Sequence, residues 1–430
     1  MTDIVQEQTD VAIVGAGGGG AVLGVALAAR GIRSVVLERA AGPPGGLRGE
    51  ILQPNGQQVL AGLGLLDELP RDAVRPVRRF HFCRAGGERL CTVDYDMLPP
   101  PYNRALVTLP NVVHHVILKA LEQRAPGTLR YGATFRDLRR EGGRVIGLLA
   151  EQGGKMLSIS AKLVVGADGP FSSVRTALGI PADLHLYPEG YLIAILDAPA
   201  GFDEARYFVG RKAILGLFPA AGGKVYLFYM IRAGSLEEIK AQGIESLRRQ
   251  WLAIDPTLGR TVESFVDWTQ SAYMPTGRVR CPTWVADGAV LIGDAAHAMN
   301  PHASQGRMQA MLDAMALADL IPGWMTRDDW SARALAAFER ARRPHVEMLQ
   351  KMADEQVLFW NTGNPVLACL RDRVFKGIDR NKRLRYRVLA VTAGLRTQAP
   401  FGLLDRLMAA GVLHDPWSTR LPPEAREAEA

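Results

Sequence analysis

The pattern of apolar and polar positions divides the chain into two kinds of region. One kind contains short, almost wholly apolar runs next to helical patterns, which is typical of buried parallel strands with helices packed on them. These runs lie at 11–14, 34–37, 161–165 and 289–292. The other kind, from about 187 to 231, consists of alternating runs that predict an antiparallel sheet. We therefore expect an α/β fold that combines a parallel sheet and its packed helices with an antiparallel sheet.

Helical patterns and chain breakers suggest the domain boundaries. Apolar residues recur at helical spacing in 54–69 and 111–124, and helical signals resume at 235–254. The prolines at 99–101 break any helix there. We expect a part with the parallel sheet at 1–74, 108–182 and 275–345, an inserted part with the antiparallel sheet at 75–107 and 183–274, and a C-terminal helical region at 346–430.

The first apolar run ends in a glycine-rich turn. Gly15, Gly17 and Gly20 form the pattern GxGxxG between the predicted strand and a helix at 21–30. In this context the first glycine allows a sharp turn, the second lets the backbone approach a pyrophosphate, and the third lets helix and strand pack closely. Glu38 ends the next strand, where a carboxylate accepts hydrogen bonds from ribose hydroxyls. The segment therefore predicts a dinucleotide site for an unphosphorylated ribose.

Composition and charge narrow the class of protein. The chain of 430 residues is 48% hydrophobic and 22% charged, as in ordinary globular proteins. Its polar N-terminus lacks the pattern of a signal peptide and no apolar run reaches membrane-spanning length, so we expect a cytoplasmic protein. The net charge of +7 is spread over many segments, and we expect no nucleic-acid partner. The cysteines form no CxxC pair, which favours reduced thiols and no metal site. They are Cys83, Cys91, Cys281 and Cys369.

One stretch near the C-terminus concentrates basic residues. Between 371 and 387, eight arginines and lysines are opposed within the stretch only by Asp372 and Asp379, and apolar stretches flank it. Such a segment can contact an anionic membrane surface. The alternative is a helical cap with a charged outer face. Both interpretations stay open from the sequence.

Three glycine-rich motifs occur in a fixed order. GxGxxG, with Glu38-Arg39 ending the next strand, is followed by Gly-Ala-Asp-Gly-Pro-Phe-Ser-Ser-Val-Arg at 166–175 and by Gly-Asp-Ala-Ala-His at 293–297. This order resembles the class A flavoprotein aromatic hydroxylases, the single-component monooxygenases of the para-hydroxybenzoate hydroxylase fold. The resemblance covers most of the chain. It implies that the part with the parallel sheet is a Rossmann-like FAD-binding domain, with one FAD site assembled from three distant segments. It also implies that the inserted antiparallel sheet belongs to the substrate domain, and that NADH or NADPH is a co-substrate that lacks a domain of its own.

The resemblance also implies roles for residues of these motifs. Asp294 would accept a hydrogen bond from the ribityl chain of FAD, and Gly293 would permit the close approach. Asp168 matches the acid of the family motif associated with both FAD and the pyridine nucleotide, and Arg175 matches the arginine that closes this motif or simply holds the loop. A helix beginning near Gln305 would direct its positive end at the pyrimidine edge of the isoalloxazine. The implied cofactor-binding residues are Gly15, Gly17, Gly20, Glu38, Arg39, Arg48, Asp168, Gly293, Asp294, Pro301, Gln305 and Gly306.

The third motif departs from the family pattern. Ser304, Met308 and Ala310 stand where the family usually has Gly, Asn and Gly. A residue other than glycine pays a penalty at positive φ, so Ser304 is expected to restrict the backbone. The missing Asn removes a polar side chain from a loop next to the flavin. These three positions motivate one alternative function, a non-catalytic binding protein with a degenerate flavin site.

The function that the resemblance implies is hydroxylation of an aromatic or quinone-like small molecule. NAD(P)H would reduce FAD, O₂ would form a flavin hydroperoxide, and a base would activate the substrate by deprotonating a ring hydroxyl. The loop at 301–305 borders the predicted isoalloxazine site, so His302 is the favoured base. The other candidates are His81, Tyr102, Tyr207, Tyr226 and Tyr229. A reductase or epoxidase of the same fold that acts on a lipophilic compound is a second alternative.

Overall fold

The computed structural model describes residues 4–47, 50–423 and 425, and the predicted cofactor residue Arg48 lies outside them. The strands in chain order are β1 (Ile4–Gln8), β2 (Val11–Val14), β3 (Ser34–Glu38), β4 (Glu50–Leu52), β5 (Val74–Val77), β6 (Arg79–Arg84), β7 (Arg89–Asp94), β8 (Ala105–Thr108), β9 (Leu129–Tyr131), β10 (Ala133–Glu141), β11 (Arg144–Gln152), β12 (Lys155–Ser160), β13 (Leu163–Gly166), β14 (Asp183–Asp197), β15 (Ala205–Val209), β16 (Ile214–Ala220), β17 (Lys224–Arg232), β18 (Ser271–Arg280), β19 (Val285–Ala286) and β20 (Ala289–Leu291). The helices are α1 (Gly18–Ala28), α2 (Pro54–Gly62), α3 (Val112–Arg124), α4 (Ser173–Ala177), α5 (Leu236–Ala241), α6 (Ile244–Ile254), α7 (Gly259–Glu263), α8 (Asp294–His297), α9 (Gly306–Arg327), α10 (Ala332–Trp360), α11 (Pro365–Asp379), α12 (Lys382–Thr392) and α13 (Leu403–Ala409).

The predicted buried strands form one sheet of six strands in the order β19-β20-β13-β2-β3-β9. All neighbouring pairs except β19 with β20 run parallel. The strands of its centre are apolar and buried on both faces, and the largest hydrophobic core of the protein lies between this sheet and helices α1, α3 and α9. The prediction of an α/β fold with a Rossmann-like part is therefore confirmed. Two small sheets flank it, in the orders β1-β12-β11-β10 and β4-β8-β5.

The alternating runs form a second large sheet, in the order β18-β14-β17-β16-β15-β6-β7. Only β15 and β6 run parallel in it, so the predicted antiparallel sheet is also confirmed. Successive side chains of a strand point to opposite faces. One face packs on α11 and α12, and the other packs on α6 and α7. The segment boundaries proposed above for the domains stay a prediction.

Two predicted helices are shorter than the sequence pattern suggests, because glycines end them. The helix expected at 54–69 ends at Gly62, since Gly64 adopts a φ of +69° and its amide donates back to the Ala61 carbonyl. This left-handed glycine is a common helix terminator. The pattern at 235–254 is split into α5 and α6 at Gly243, whose φ is +82°.

The basic run near the C-terminus is largely paired inside the fold. Arg371 is buried and donates to the backbone carbonyls of Gly210 and Trp360. Arg383 and Arg387 both contact Asp405, which lies on α13. Further ion pairs join this run to Glu88, Asp379 and Asp415. The geometry therefore favours a helical cap with internal ion pairs over a free basic face. Among the described residues, no helix combines the length and the apolar character that a membrane crossing requires.

Candidate active site

The three glycine-rich motifs meet at one edge of the parallel sheet. Val14 lies opposite both Leu37 and Gly166, and Gly166 lies opposite Leu291, so four strands end at the same level. A predicted site residue follows each of these strands within two positions. The carboxyl edge of an open parallel sheet is where such folds bind nucleotides. The register thus brings together segments that are distant in sequence.

The three glycines of the first motif differ in what a larger side chain would meet at each position. Gly15 has a φ of +100°, and a Cβ on it would come within 2.4 Å of the Ala167 carbonyl oxygen. A Cβ on Gly20 would lie 1.9 Å from the Gly15 carbonyl oxygen. A Cβ on Gly17, in contrast, would meet no described atom within 4 Å. Gly15 and Gly20 are therefore required by the fold, whereas Gly17 leaves open space at the N-terminus of α1.

The side chain of Glu38 is held at the end of β3 by two backbone amides. Its carboxylate accepts hydrogen bonds from the amides of Ala16, at 3.0 Å, and Ala40, at 2.9 Å. Arg39, next to it, is exposed. The carboxylate thus joins the glycine-rich turn to the following strand and stands beside the open space at Gly17.

The second motif is folded back on itself and tied to the third. The carboxylate of Asp168 accepts from the Ser172 hydroxyl at 2.5 Å and from the Ser173 amide at 2.7 Å, so it caps α4. Arg175 is buried and donates to the carbonyls of Pro170 and Ala295 at 2.9 and 2.8 Å. Arg175 therefore holds the loop, as the alternative interpretation of its role expected.

A buried ionic network supports the third motif. Gly293, with a φ of +59°, donates its amide to the carboxylate of Asp313 at 2.9 Å. The same carboxylate contacts His297 at 2.6 Å and accepts from Arg342 at 2.8 Å. Burial alone would raise the pKa of Asp313, but these partners together hold it below its ordinary value. Asp294 follows Gly293 at the start of α8 and is partly exposed. No motif in the sequence indicates Arg342.

The turn before α9 is fixed by a buried glutamine. The side-chain oxygen of Gln305 accepts from Asn55 at 2.8 Å and from Gln309 at 3.0 Å, and its amide donates to the Thr392 carbonyl at 2.8 Å. Pro301 begins the short turn that precedes it, and Gly306 is the first residue of α9. The predicted helix start near 305 is confirmed. Gln305 links the turn to both the cofactor side and the C-terminal helices.

The three departures from the family pattern are each accommodated. Ser304 has a φ of +51° and a ψ of 33°, the left-handed conformation in which glycine is favoured. Met308 is buried, and a Cβ on Gly56 would lie 2.3 Å from its sulfur. Ala310 packs against the third motif, because a Cβ added to Gly293 would lie 3.0 Å from the Cβ of Ala310. Only Ser304 carries backbone strain.

An aromatic cavity of about 840 Å³ lies between the 301–304 turn, the antiparallel sheet and the C-terminal helices. Its wall is mostly apolar, and Lys351 and an ion pair between Arg406 and Glu355 lie at its border. Its aromatic members are Phe80, Phe82, Tyr95, Tyr191, Tyr207, Phe218, Phe228, Phe359, Trp360, Phe375 and Phe401. A cavity of this size and lining suits an aromatic compound of several rings.

His302 lies in the wall of this cavity between two tyrosines. Its Nδ1 is 2.8 Å from the hydroxyl of Tyr207, and its Nε2 is 3.2 Å from the hydroxyl of Tyr191. Burial lowers the pKa of His302 to about 3 and raises the pKa of both tyrosines above their ordinary value. All three side chains are therefore neutral near pH 7. The sequence prediction missed Tyr191, although the alternation of β14 places it on the same face as Ile193 of the core.

The other candidate bases lie elsewhere, except Tyr207. His81 contacts Glu204 at 2.7 Å, and Tyr229 donates to Gln250 at 3.0 Å. Tyr226 contacts the Leu47 carbonyl at 3.4 Å, and Tyr102 is partly exposed. None of these four lines the cavity in the described part of the chain. In the same residues, no group of His, Cys, Asp or Glu has the arrangement of a metal site.

The residues at the sheet edge fit FAD. Gly17 provides an open approach to the N-terminus of α1, where amides bind phosphates, and the fixed carboxylate of Glu38 suits ribose hydroxyls. The turn of His302 joins this edge to the aromatic cavity.

Comparison with known proteins agrees with this geometry. A family model described as an FAD binding domain matches residues 8–353, more than half of the chain. The chain is 30% identical to 6-methylpretetramide 4-monooxygenase of Streptomyces rimosus, over 90% of this chain and 93% of that protein. It is 28% identical to kynurenine 3-monooxygenase of Salinispora arenicola, over 80% of this chain and 78% of that protein.

Solved structures show the same fold. PqsL of P. aeruginosa has a TM-score of 0.74 at 24% identity and covers 83% of this chain and 97% of its own. The p-nitrophenol 4-monooxygenase PnpA of Pseudomonas putida has a TM-score of 0.79 at 20% identity, over 90% and 98% of the two chains. At these identities the likeness concerns the fold. The family match and the Streptomyces rimosus relative show that the chain belongs to the class A flavoprotein monooxygenases. These are FAD-dependent aromatic hydroxylases of the para-hydroxybenzoate hydroxylase fold that use NAD(P)H and O₂.

Proposed function

We propose that the protein hydroxylates a multi-ring phenol or a quinone-like relative of one, with His302 as the residue that engages the ring hydroxyl. The observation that carries this proposal is a neutral imidazole between Tyr191 and Tyr207 in the wall of an aromatic cavity of about 840 Å³. FAD, when bound, takes a hydride from NAD(P)H and activates O₂, so that one oxygen atom enters the substrate and the other leaves as water. The cofactor-binding residues expected from the sequence remain part of this proposal.

The size of the substrate is inferred from the cavity. Pockets for small molecules commonly measure about 300–1,000 Å³, and this cavity lies near the upper end. A single phenol ring would leave most of it filled by water, which promotes side reactions in such sites. The name of the Streptomyces rimosus relative, a 6-methylpretetramide monooxygenase, is consistent with a large substrate.

The role of His302 follows from its pKa. An imidazole with a pKa of about 3 does not store a proton as a stable cation near pH 7, but its bare nitrogen accepts a hydrogen bond. We propose that the substrate hydroxyl replaces the longer contact to Tyr191 and donates to His302 Nε2. The other nitrogen, Nδ1, then donates to the hydroxyl of Tyr207. This arrangement moves proton density off the ring oxygen and activates the ring carbon for attack by electrophilic oxygen.

For the mouth of the cavity, we propose that it admits a lipophilic substrate that arrives from a membrane surface. Leu358 and Leu370 line the cavity and are also exposed, at 76% and 42%. The basic run adds little to such a contact because its members are mostly paired internally. An apolar mouth is also compatible with epoxidation of a lipophilic compound.

The test is substrate-stimulated NAD(P)H oxidation, measured with product and H₂O₂ for phenols of one to four rings and for an apolar alkene. We expect multi-ring phenols to stimulate turnover most, and His302→Phe to lower product formation by about 10²–10⁴-fold while flavin stays bound. Tyr229→Phe is the matched control, since Tyr229 lies on the sheet but bonds Gln250 away from the cavity. Equal product formation by His302→Phe would remove the assigned role, and preference for the alkene would favour the epoxidase.

A further inference from the structure

Arg307, the second residue of α9, lies across the N-terminus of α1. A Cβ on Gly18 would be 3.0 Å from Arg307 Cγ and 3.8 Å from its Nε. Gly18 is not one of the three glycines of the GxGxxG pattern, so the nucleotide motif does not explain it. The side chain of Arg307 does explain it, because any larger residue at 18 would displace the arginine.

Two groups hold the guanidinium of Arg307 in place. Its Nε makes an ion pair with the carboxylate of Glu50, the first residue of β4. Its Nη1 is 3.5 Å from Nδ1 of His114 on α3. The side chains of Arg307 and Glu50 are 22% and 12% exposed, so the pair lies mostly out of bulk water. A guanidinium has five N–H donors, and these two contacts leave donors for another acceptor.

A diphosphate bound near Gly17 and Gly18 would lie close to the carboxylate of Glu50, and the positive charge of Arg307 would offset the repulsion between them. The diphosphate of FAD carries two negative charges and binds at the N-terminus of the first helix. Glu50 adds a third negative charge beside the same helix end. Without a cation, the desolvated carboxylate and the diphosphate would repel each other.

We propose that Arg307 binds the diphosphate of FAD and that Glu50 positions its guanidinium over Gly18. Arg307 then has a binding role at a position of the third motif for which the family pattern prescribes no residue. The proposal rests on the use of FAD and is independent of the substrate assigned above. The interaction is charge-assisted, so its loss should be large enough to measure in binding.

The test is the FAD dissociation constant of the full-length apoprotein, measured by quenching of flavin fluorescence. We expect Arg307→Met to weaken FAD binding about 10–100-fold, and Arg307→Lys to weaken it less. Riboflavin, which shares the isoalloxazine and the ribityl chain but lacks phosphates, should bind equally to both variants and to the unchanged protein. Arg340→Met, which removes an exposed arginine of α10, is the matched control and should leave FAD binding unchanged.

A double variant tests whether Glu50 repels the diphosphate when Arg307 is absent. Arg307→Met leaves Glu50 facing the diphosphate, and Arg307→Met with Glu50→Gln removes that repulsion, so the double variant should recover part of the lost affinity. Unchanged FAD binding in Arg307→Met would overturn the proposal. An equal loss of riboflavin and FAD binding would also overturn it, because it would show that Arg307 only stabilises the fold. Arg307→Lys keeps the proposal testable if Arg307→Met does not fold.

Discussion

The cofactor edge and the substrate cavity of this protein are built in different ways. At the cofactor edge the critical features are backbone conformations and missing side chains, as at Gly15 and Gly20, where a single Cβ would collide with a carbonyl oxygen. The cavity depends on side chains, such as Tyr191, Tyr207 and Trp360, that come from separate strands and helices. The first region has little freedom to vary in sequence. The second can change its ligand without changing the fold.

The largest expected effect comes from replacing glycines of the first motif by alanine, which tests whether each glycine is required for folding or for FAD binding. Gly15→Ala places a Cβ at a φ of +100° and 2.4 Å from a carbonyl oxygen, so we expect a loss of about 2–5 kcal/mol in the free energy of unfolding. Gly17→Ala meets no described atom and should leave the FAD-free protein stable while weakening FAD binding at least about tenfold. Urea unfolding and flavin titration measure the two effects.

A glycine away from the site provides the control. Gly62→Ala, at the exposed end of α2, also has open space around its added Cβ; it should leave FAD binding unchanged and raise the free energy of unfolding by at most about 1 kcal/mol. If Gly17→Ala destabilised the FAD-free protein as much as Gly15→Ala, the separation between fold-required and ligand-required glycines would be wrong.

The contrast between the two regions also explains what the sequence could predict. Gly15, Gly17, Gly20 and Glu38 can be predicted from spacing within one short segment, and Gly293 from the resemblance of its motif to the family. The cavity combines residues such as Tyr191 and Trp360 whose proximity depends on how sheet and helices pack. The same reason applies to the basic run, since its partner Glu88 lies 288 residues from Lys376 and its partner Asp405 lies on a separate helix. The family pattern prescribes no residue at position 307, and the role of Arg307 emerges only from its contacts with Gly18 and Glu50.

The pH dependence of stability tests the enclosed state of the cavity. Burial lowers the pKa of His302 to about 3 in the folded protein, from an ordinary value of 6.5. Below about pH 6.5 the unfolded chain therefore takes up a proton that the folded protein refuses. This group should lower the free energy of unfolding by about 1.4 kcal/mol per pH unit as the pH falls. Between pH 6.5 and 5.0 the loss is roughly 2 kcal/mol.

Urea unfolding at several pH values measures this slope. His302→Asn should flatten it over that range, because asparagine does not titrate. Tyr207→Phe keeps the imidazole in the apolar wall and should retain the slope of the unchanged protein. Parallel slopes for His302→Asn and the unchanged protein would mean that His302 can take up a proton in the folded state, and that the cavity is wetter than its lining indicates.

The smallest expected effect concerns the turn where the two regions meet. Ser304 has the left-handed conformation in which a Cβ costs energy, and its side chain also lines the cavity. Ser304→Gly should therefore raise the free energy of unfolding by about 0.5–1 kcal/mol, whereas Ser304→Ala should bring no such gain. Thermal unfolding with and without FAD measures this difference. If Ser304→Gly gains stability and also raises KM for the substrate, the serine is retained at an energetic cost because it contacts the substrate. If stability rises and KM is unchanged, the strain at 304 belongs to the cofactor edge alone.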